Sequence, residues 1–188
     1  MMTDRIPFPF ELTTERLVIR SPREADAHQL MQAIAETLDD LKPWMPWADH
    51  IPTLPEAIEN CAKAQKAFKD GSDYRFHLFL RDSMTFIGGS GLHRIDWSVP
   101  KCEIGFWVRA SCTGKGYIAE AVGAISRFAM ESLGANRVEI RMSTMNIRSR
   151  RVPERLGFVC EGILRNNERN VDGTLRDTCV YSMIPGAQ

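Results

Sequence analysis

No apolar run in this sequence approaches the length of a membrane span, and there is no repeat, low-complexity tract or evident linker. Neither sign of charge dominates: 24 Lys and Arg balance 24 Asp and Glu. The chain therefore has no global field to draw it onto nucleic acid or an anionic bilayer, so no membrane partner and no direct nucleic-acid binding are expected. Cysteine is sparse and odd in number. Cys61, Cys102, Cys112, Cys160 and Cys179 form no C-x-x-C pair and have no His at ligand spacing. That argues against a disulfide framework and against zinc, so no metal is expected. The N-terminal stretch MMTDRIPFPF lacks the apolar segment of a signal peptide. Together with the scattered cysteines it points to a reducing cytoplasm.

What is present is an ordinary globular composition, 44% hydrophobic and 26% charged over 188 residues, enough for one domain (1–188) with a real core. RLVIR, from Arg16 to Arg20, reads as a short strand. The helix after it carries start signals in Ser21 with Glu24 three residues on, and in Pro22. A second helix opens at Thr53 with Glu56 and stops at Gly71. YRFHLFLR, TFIGGSGLHRI and CEIGFWV follow too closely for parallel crossovers, so an antiparallel meander is expected. The longest helix starts near Gly116, with Ile118, Val122, Ile125, Phe128, Ala129 and Leu133 on one stripe, and ends at Gly134. RVEIRMS is a strand and NIRSRRVPERLGF a short helix. FVCEGILRN and TLRDTCVYSMI flank a hairpin signal at Val171-Asp172-Gly173. The class is α/β, with a mixed, mostly antiparallel sheet and one strand–helix–strand crossover.

The stretch EIGFWVRASCTGKGYIAEA carries the strongest local signal. A strand ends at Val108, and five polar or small residues lead to Gly114-Lys115-Gly116 and a helix. A helix N-terminus offers unpaired N–H groups and about half a positive charge, which suits a phosphate. Glycines there let the backbone approach the anion and adopt positive φ. A plain strand-to-helix turn would need glycine too. A Walker A loop fails, because Arg109 stands where its first glycine belongs and Gly116 where Ser or Thr must follow the lysine. Gly114-x-Gly116-x-x-Ala119 does fit a variant dinucleotide fingerprint, with Glu139 at a tolerable distance. Yet five residues separate it from its strand and a meander precedes it, so a nicotinamide or flavin enzyme is a poor second.

Four ordered blocks carry a wider resemblance: TERLVIRSPREAD, EIGFWV…TGKGYIAEA, RVEIRMSTMNIRSRRVPERLGFVCEGILR and NNERNVDGTLRDTCVYSMI. With them nearly the whole chain resembles the GNAT superfamily of acetyl-CoA-dependent N-acetyltransferases. More narrowly it is similar to the Rim-type branch, whose founding members acetylate the N-termini of ribosomal proteins. The resemblance implies a sheet of six to seven strands flanked by about four helices. It also implies a V-shaped splay, between the strand ending at Val108 and the strand at Arg137 to Ser143, that holds the pantetheine arm. Acetyl-CoA would then be the cosubstrate, on Phe106, Trp107, Val108, Thr113, Gly114, Lys115, Gly116, Tyr117, Ile118, Asn146 and Ser149. Ser111 departs from the family, which often has Gln or Arg there; Lys115 or Arg109 would lend charge instead.

The reaction implied is attack of an amine on the thioester. At pH 7 an α-amine is only about a tenth neutral, and a lysine far less, so a base is needed. The resemblance puts it at Glu168, working through a water, with Glu103 as rival; either could equally be a solvated or strand-face carboxylate. It puts the acid at Ser149, since Pro153 occupies the position where many members have tyrosine. Asn146 also reads as the N-cap of its short helix. Trp44 and Trp47, in KPWMPW, are candidate walls of the acceptor site or simply core. The basic run RSRRVPER could meet the 3′-phosphate of CoA or an acidic partner, or be a solvated face. The acceptor expected is a protein N-terminus, with a small amine (polyamine, aminoglycoside or metabolite) or a silent CoA sensor as alternatives. A monomer or homodimer fits.

Overall fold

The computed structural model describes residues 6–186, so the first five residues of the N-terminal stretch lie outside the described residues. One sheet holds β1 (Glu11–Thr13), β2 (Leu17–Arg20), β3 (Tyr74–Leu80), β4 (Phe86–Asp96), β5 (Lys101–Val108), β6 (Arg137–Ser143), β7 (Val159–Arg169) and β8 (Leu175–Met183). Their order is β1-β2-β3-β4-β5-β6-β8-β7. The helices α1 (Ala27–Leu41), α2 (Leu54–Asp70), α3 (Tyr117–Glu131) and α4 (Ile147–Arg155) flank it. The sheet thus has eight strands rather than the six to seven expected. The extra one is β1, whose three residues are too few to show alternation and which exists by pairing with β2.

Local signals hold where no tertiary partner competes. Thr53 and Glu56 form the reciprocal cap of α2, and Gly71, at φ 71°, ends it in the left-handed conformation. Asn146 caps α4, its Oδ1 accepting the Ser149 N–H at 3.1 Å. Ser21, however, does not cap α1. Its hydroxyl accepts the Phe10 N–H at 3.2 Å, and a 3-10 turn at Glu24–Asp26 precedes the helix. Asp26 closes the capping box of that turn, accepting the Arg23 N–H at 2.9 Å, and makes no side-chain cap bond to α1 itself.

The two faces of the sheet bury different clusters. Ile104, Val138 and Ile140 face α3, packing with Ile118, Val122 and Ile125. Truncating such a residue to Ala costs about 2–5 kcal/mol. On the opposite face Val18, Phe79 and Phe86 pack with Leu30 and Ile34 of α1.

One feature of the pairing creates the site. The meander β3–β4–β5 is antiparallel, but β5 and β6 run parallel and pair only at Lys101↔Arg137, Cys102↔Val138 and Glu103↔Glu139. Beyond that point β5 stays with β4 as far as Val108, and β6 stays with β8 as far as Ser143. Residues 104–108 and 140–143 therefore diverge, which is the expected splay, with Glu103 and Glu139 at its vertex.

Candidate active site

A channel of about 590 Å³ opens beside the splay, between residues 106–108 of β5, the turn before α3 and the start of α4. All of the expected cosubstrate residues line it except Lys115, which is exposed. Gly114 and Gly116 have φ of 75° and 79°, so the turn before α3 uses the left-handed backbone that glycine adopts without strain. Gly116 is the N-cap of α3 and has no side chain to close off the helix's free N–H groups. Cationic side chains stand beside it: Arg16 Nη2 and Arg155 Nη1 lie 3.6 and 3.8 Å from where a Cβ on Gly116 would be. Helix N–H groups, bare glycines and two guanidinium groups suit a pyrophosphate.

Two carboxylates brace this loop from outside. Glu120 accepts from Thr14 Oγ1 and Arg16 Nε, both at 2.6 Å, and Arg16 Nη1 donates to the Lys115 carbonyl at 3.0 Å. Burial works to raise the Glu120 carboxyl, but these bonds outweigh it and hold the group low. Glu36, in α1, accepts the Ser111 N–H at 2.8 Å and Arg109 Nε at 2.5 Å. Bonds from Ser111 and Arg109 bring it down to about 2. Next to it Thr37 Oγ1 accepts the Ala110 N–H at 3.0 Å. Arg109 is thus committed to Glu36 and Arg16 to Glu120, and Arg155 is the guanidinium beside the turn that has no ion pair among the described residues. Neither Arg16, Glu36 nor Glu120 was legible as a site residue, because their partners lie about 70 to 110 positions away.

At the channel's other bank Ser149 presents a hydroxyl with no hydrogen bond among the described residues, its N–H being held by Asn146. Arg148 and Arg151 line the same bank, and Arg148 Nη1 reaches Asp40 of α1 at 3.4 Å. Trp44 lines the channel and also an adjoining open groove of about 740 Å³. The groove runs between the Trp loop and the β7–β8 hairpin, lined by Met145, Val171, Leu175 and Asp177. Trp47 lines neither; its ring packs edge-on against Trp107 at 5.8 Å.

The two candidate bases are separated. Glu168 lies on the hairpin, ion-paired across it to Arg176, which itself lines the groove. Glu103 sits at the splay vertex, 20% exposed, with Arg94 Nη1 at 3.1 Å and Arg141 Nε at 3.9 Å. Burial pushes its carboxyl up, against the pull of those arginines. Neither glutamate lines the channel or the groove.

No group of three or more His, Cys, Asp or Glu among the described residues could hold a metal, and no described helix is long and apolar enough to cross a membrane.

Comparison with known proteins agrees with this geometry. The family model described as "Acetyltransferase (GNAT) domain" matches residues 16–159. The Bacillus subtilis (strain 168) protein YdaF is 32% identical over 173 residues, covering 90% of this chain and 92% of that protein. The ribosomal protein uS5-alanine N-acetyltransferase of Escherichia coli (strain K12) is 31% identical over 168 residues, covering 88% and 86%. A solved structure described as a probable acetyltransferase superposes with a TM-score of 0.86 at 28% identity, covering 94% of this chain and 97% of that one. With a family match over most of its length and a splayed sheet opening onto a glycine-lined helix start, the chain belongs to the GNAT acetyltransferases and is an enzyme of acetyl transfer.

Proposed function

We propose that this enzyme moves the acetyl group of acetyl-CoA onto the N-terminal α-amine of a protein, with a ribosomal protein as the first acceptor to test. The observation that carries the choice of acceptor is the open groove beside the channel. Its walls offer Trp44, Val171 and Leu175, and Val171, Leu175 and the neighbouring Met145 are exposed at 57%, 52% and 74%. Exposed apolar surface rimming a cleft suits a peptide or protein better than a small hydrated polyamine. The relative from Escherichia coli, named for an alanine of ribosomal protein uS5, supports the same reading.

In this reading the pyrophosphate rests on the Gly114–Gly116 turn, and the pantetheine arm runs along 106–108 of β5. A backbone N–H of that segment polarises the thioester carbonyl. The amine enters from the groove, past Trp44. Its nitrogen forms the new C–N bond, the C–S bond breaks, and the electrons leave on sulfur; Ser149 gives the sulfur a proton and recovers one from the nitrogen, whose other proton goes to a base and then to solvent. Glu168, on the hairpin, and Glu103, at the splay vertex, are the carboxylates that the resemblance offers as base, and burial pushes the Glu103 carboxyl up.

The test is CoA release from acetyl-CoA at pH 8 with a panel of amines. Release with Ala- or Ser-starting peptides, and not with an N-blocked lysine peptide, is expected. Release with spermidine or an aminoglycoside alone would replace the protein acceptor by a small one.

A further inference from the structure

Beside the splay vertex the sheet holds a His–Asp pair that the resemblance does not use, and neither residue lines the channel or the groove. Along β4, His93 is the cross-strand neighbour of Glu103, and Gly91 of Gly105. His93 Nδ1 lies 2.6 Å from Asp73 Oδ2. A carboxylate only accepts, so Nδ1 carries the hydrogen and the neutral ring leaves its lone pair on Nε2. The other Asp73 oxygen is buried without a hydrogen bond among the described residues, with Arg75 Nε at 3.5 Å as its nearest cation.

The ring leans along the sheet over two glycines. Its Cε1 and Nε2 come within 2.9 Å of where a Cβ on Gly91 would be, and its Nε2 within 3.5 Å of one on Gly105. Any side chain at Gly91 would collide with the imidazole. These bare positions form a floor that lets Nε2 reach β5 one residue short of Phe106, where the channel begins. Nε2 has no hydrogen bond among the described residues, and the side chain is 31% exposed. The charged groups around it are Asp73 and Arg75, Arg94 on its own strand, Glu103 on β5, and Glu139 and Arg141 on β6.

We infer that His93 is a catalytic residue: its Nε2 takes the proton from the acceptor amine, with Asp73 holding the ring in position. This rests on the acetyl-transfer reading above. Two protons leave the ammonium nitrogen during the reaction. One goes to Nε2 and then to solvent; the other ends on the CoA sulfur as the C–N bond forms and the C–S bond breaks. Glu103, directly across from His93, stabilises the imidazolium formed in between. Imidazole ordinarily titrates closer to neutral pH than any carboxylate, which suits it to this task.

The experiment measures kcat/KM of the full chain for an Ala-starting peptide, from pH 6.5 to 9, in the wild type, His93→Gln, Asp73→Asn and His93→Gly. Acetyl-CoA affinity and Tm are measured in parallel. His93→Gln is expected to lose about 100-fold or more at pH 7, the span of a general base. Its acetyl-CoA affinity should stay within about twofold, and its deficit should narrow toward pH 9 as the α-amine, with a pKa near 8, deprotonates unaided. Asp73→Asn should lose about tenfold through the wrong tautomer. Added imidazole should restore part of the rate to His93→Gly. A loss under threefold in His93→Gln at pH 7 overturns the inference while leaving acetyl transfer intact. So does a loss matched by equal falls in acetyl-CoA affinity and Tm. A wild type that releases no CoA with any amine overturns the proposed function, and this inference with it.

Discussion

Two His–Asp pairs lie on the same face of adjacent strands, with nearly the same geometry and different surroundings. His77 Nδ1 meets Asp26 at 2.7 Å, and His93 Nδ1 meets Asp73 at 2.6 Å. In the first pair the side chains are 10% and 6% exposed; in the second they are 31% and 30%. The buried pair has a third member, Arg20, whose guanidinium grips both oxygens of Asp26 at 2.9 and 2.5 Å and lies 4.2 Å from the Phe79 ring centroid. His77 is walled in by Phe86, ring to ring at 5.1 Å. His93 instead faces glycines. A hydrogen-bonded pair is thus no sign of function by itself. Burial with a cation makes one a fixture of the fold, whereas a free Nε2 over a bare floor leaves the other open to a reactant.

The sharpest way to break this comparison is to neutralise each aspartate in turn. Asp26→Asn strips the charge partner from a buried arginine, and such losses cost about 3–5 kcal/mol. Urea denaturation should show it as a lower midpoint, while turnover per folded molecule stays near wild type. Asp73→Asn should do the reverse, sparing stability and lowering turnover. Equal stability losses in the two variants would erase the distinction.

A smaller effect concerns acid. Burial holds His77 below its ordinary 6.5. Burial acts to raise Asp26, but the bonds from His77 and Arg20 prevail and hold it well below its ordinary 3.8. Both depressions mean that the unfolded chain binds more protons than the folded one as pH falls. The stability they confer is complete above pH 6.5 for His77 and is lost below it; for Asp26 the loss begins below the ordinary carboxylate range. The urea midpoint should therefore drop between pH 7 and 5, and His77→Gln should flatten that part of the curve.

Next in size is Glu36→Gln, which loosens the loop ahead of the glycine turn. Calorimetric titration should show acetyl-CoA binding about tenfold weaker, or about 1.4 kcal/mol, with little change in kcat. Unchanged affinity would show that the turn is rigid without its brace. The smallest effect is expected of Ser149→Ala. A thiolate leaves fairly well unaided, so kcat should fall only about 3- to 10-fold, without the pH dependence expected of His93→Gln.

How much of this could be read from the chain follows from how far each interaction reaches. Thr53 with Glu56, and Asn146 with Ser149, are caps within one turn, and they formed as read. Ser21 carried the same kind of signal, but Phe10 offered its backbone instead. The glycine turn was legible because positive φ is a property of single residues. The resemblance gathered the parts of the channel lining that come from β5, the glycine turn and the start of α4, since those lie in ordered blocks, but not Thr37, Asp40 and Leu41 of α1. It could not show that Glu168 pairs with Arg176 or that Trp47 packs on Trp107. TFIGGSGLHRI displayed both its glycines and His93, and nothing in it said that the imidazole would fold back over Gly91.

The sequence by itself determined the helices, the meander, the hairpin and the glycine turn before α3, because periodicity, capping and backbone freedom act over a few residues. The tertiary structure alone decided where β5 and β6 part, which carboxylates brace the turn, and which of two His–Asp pairs is sealed. Those outcomes depend on strand register and on burial, which exist only when distant segments share one sheet.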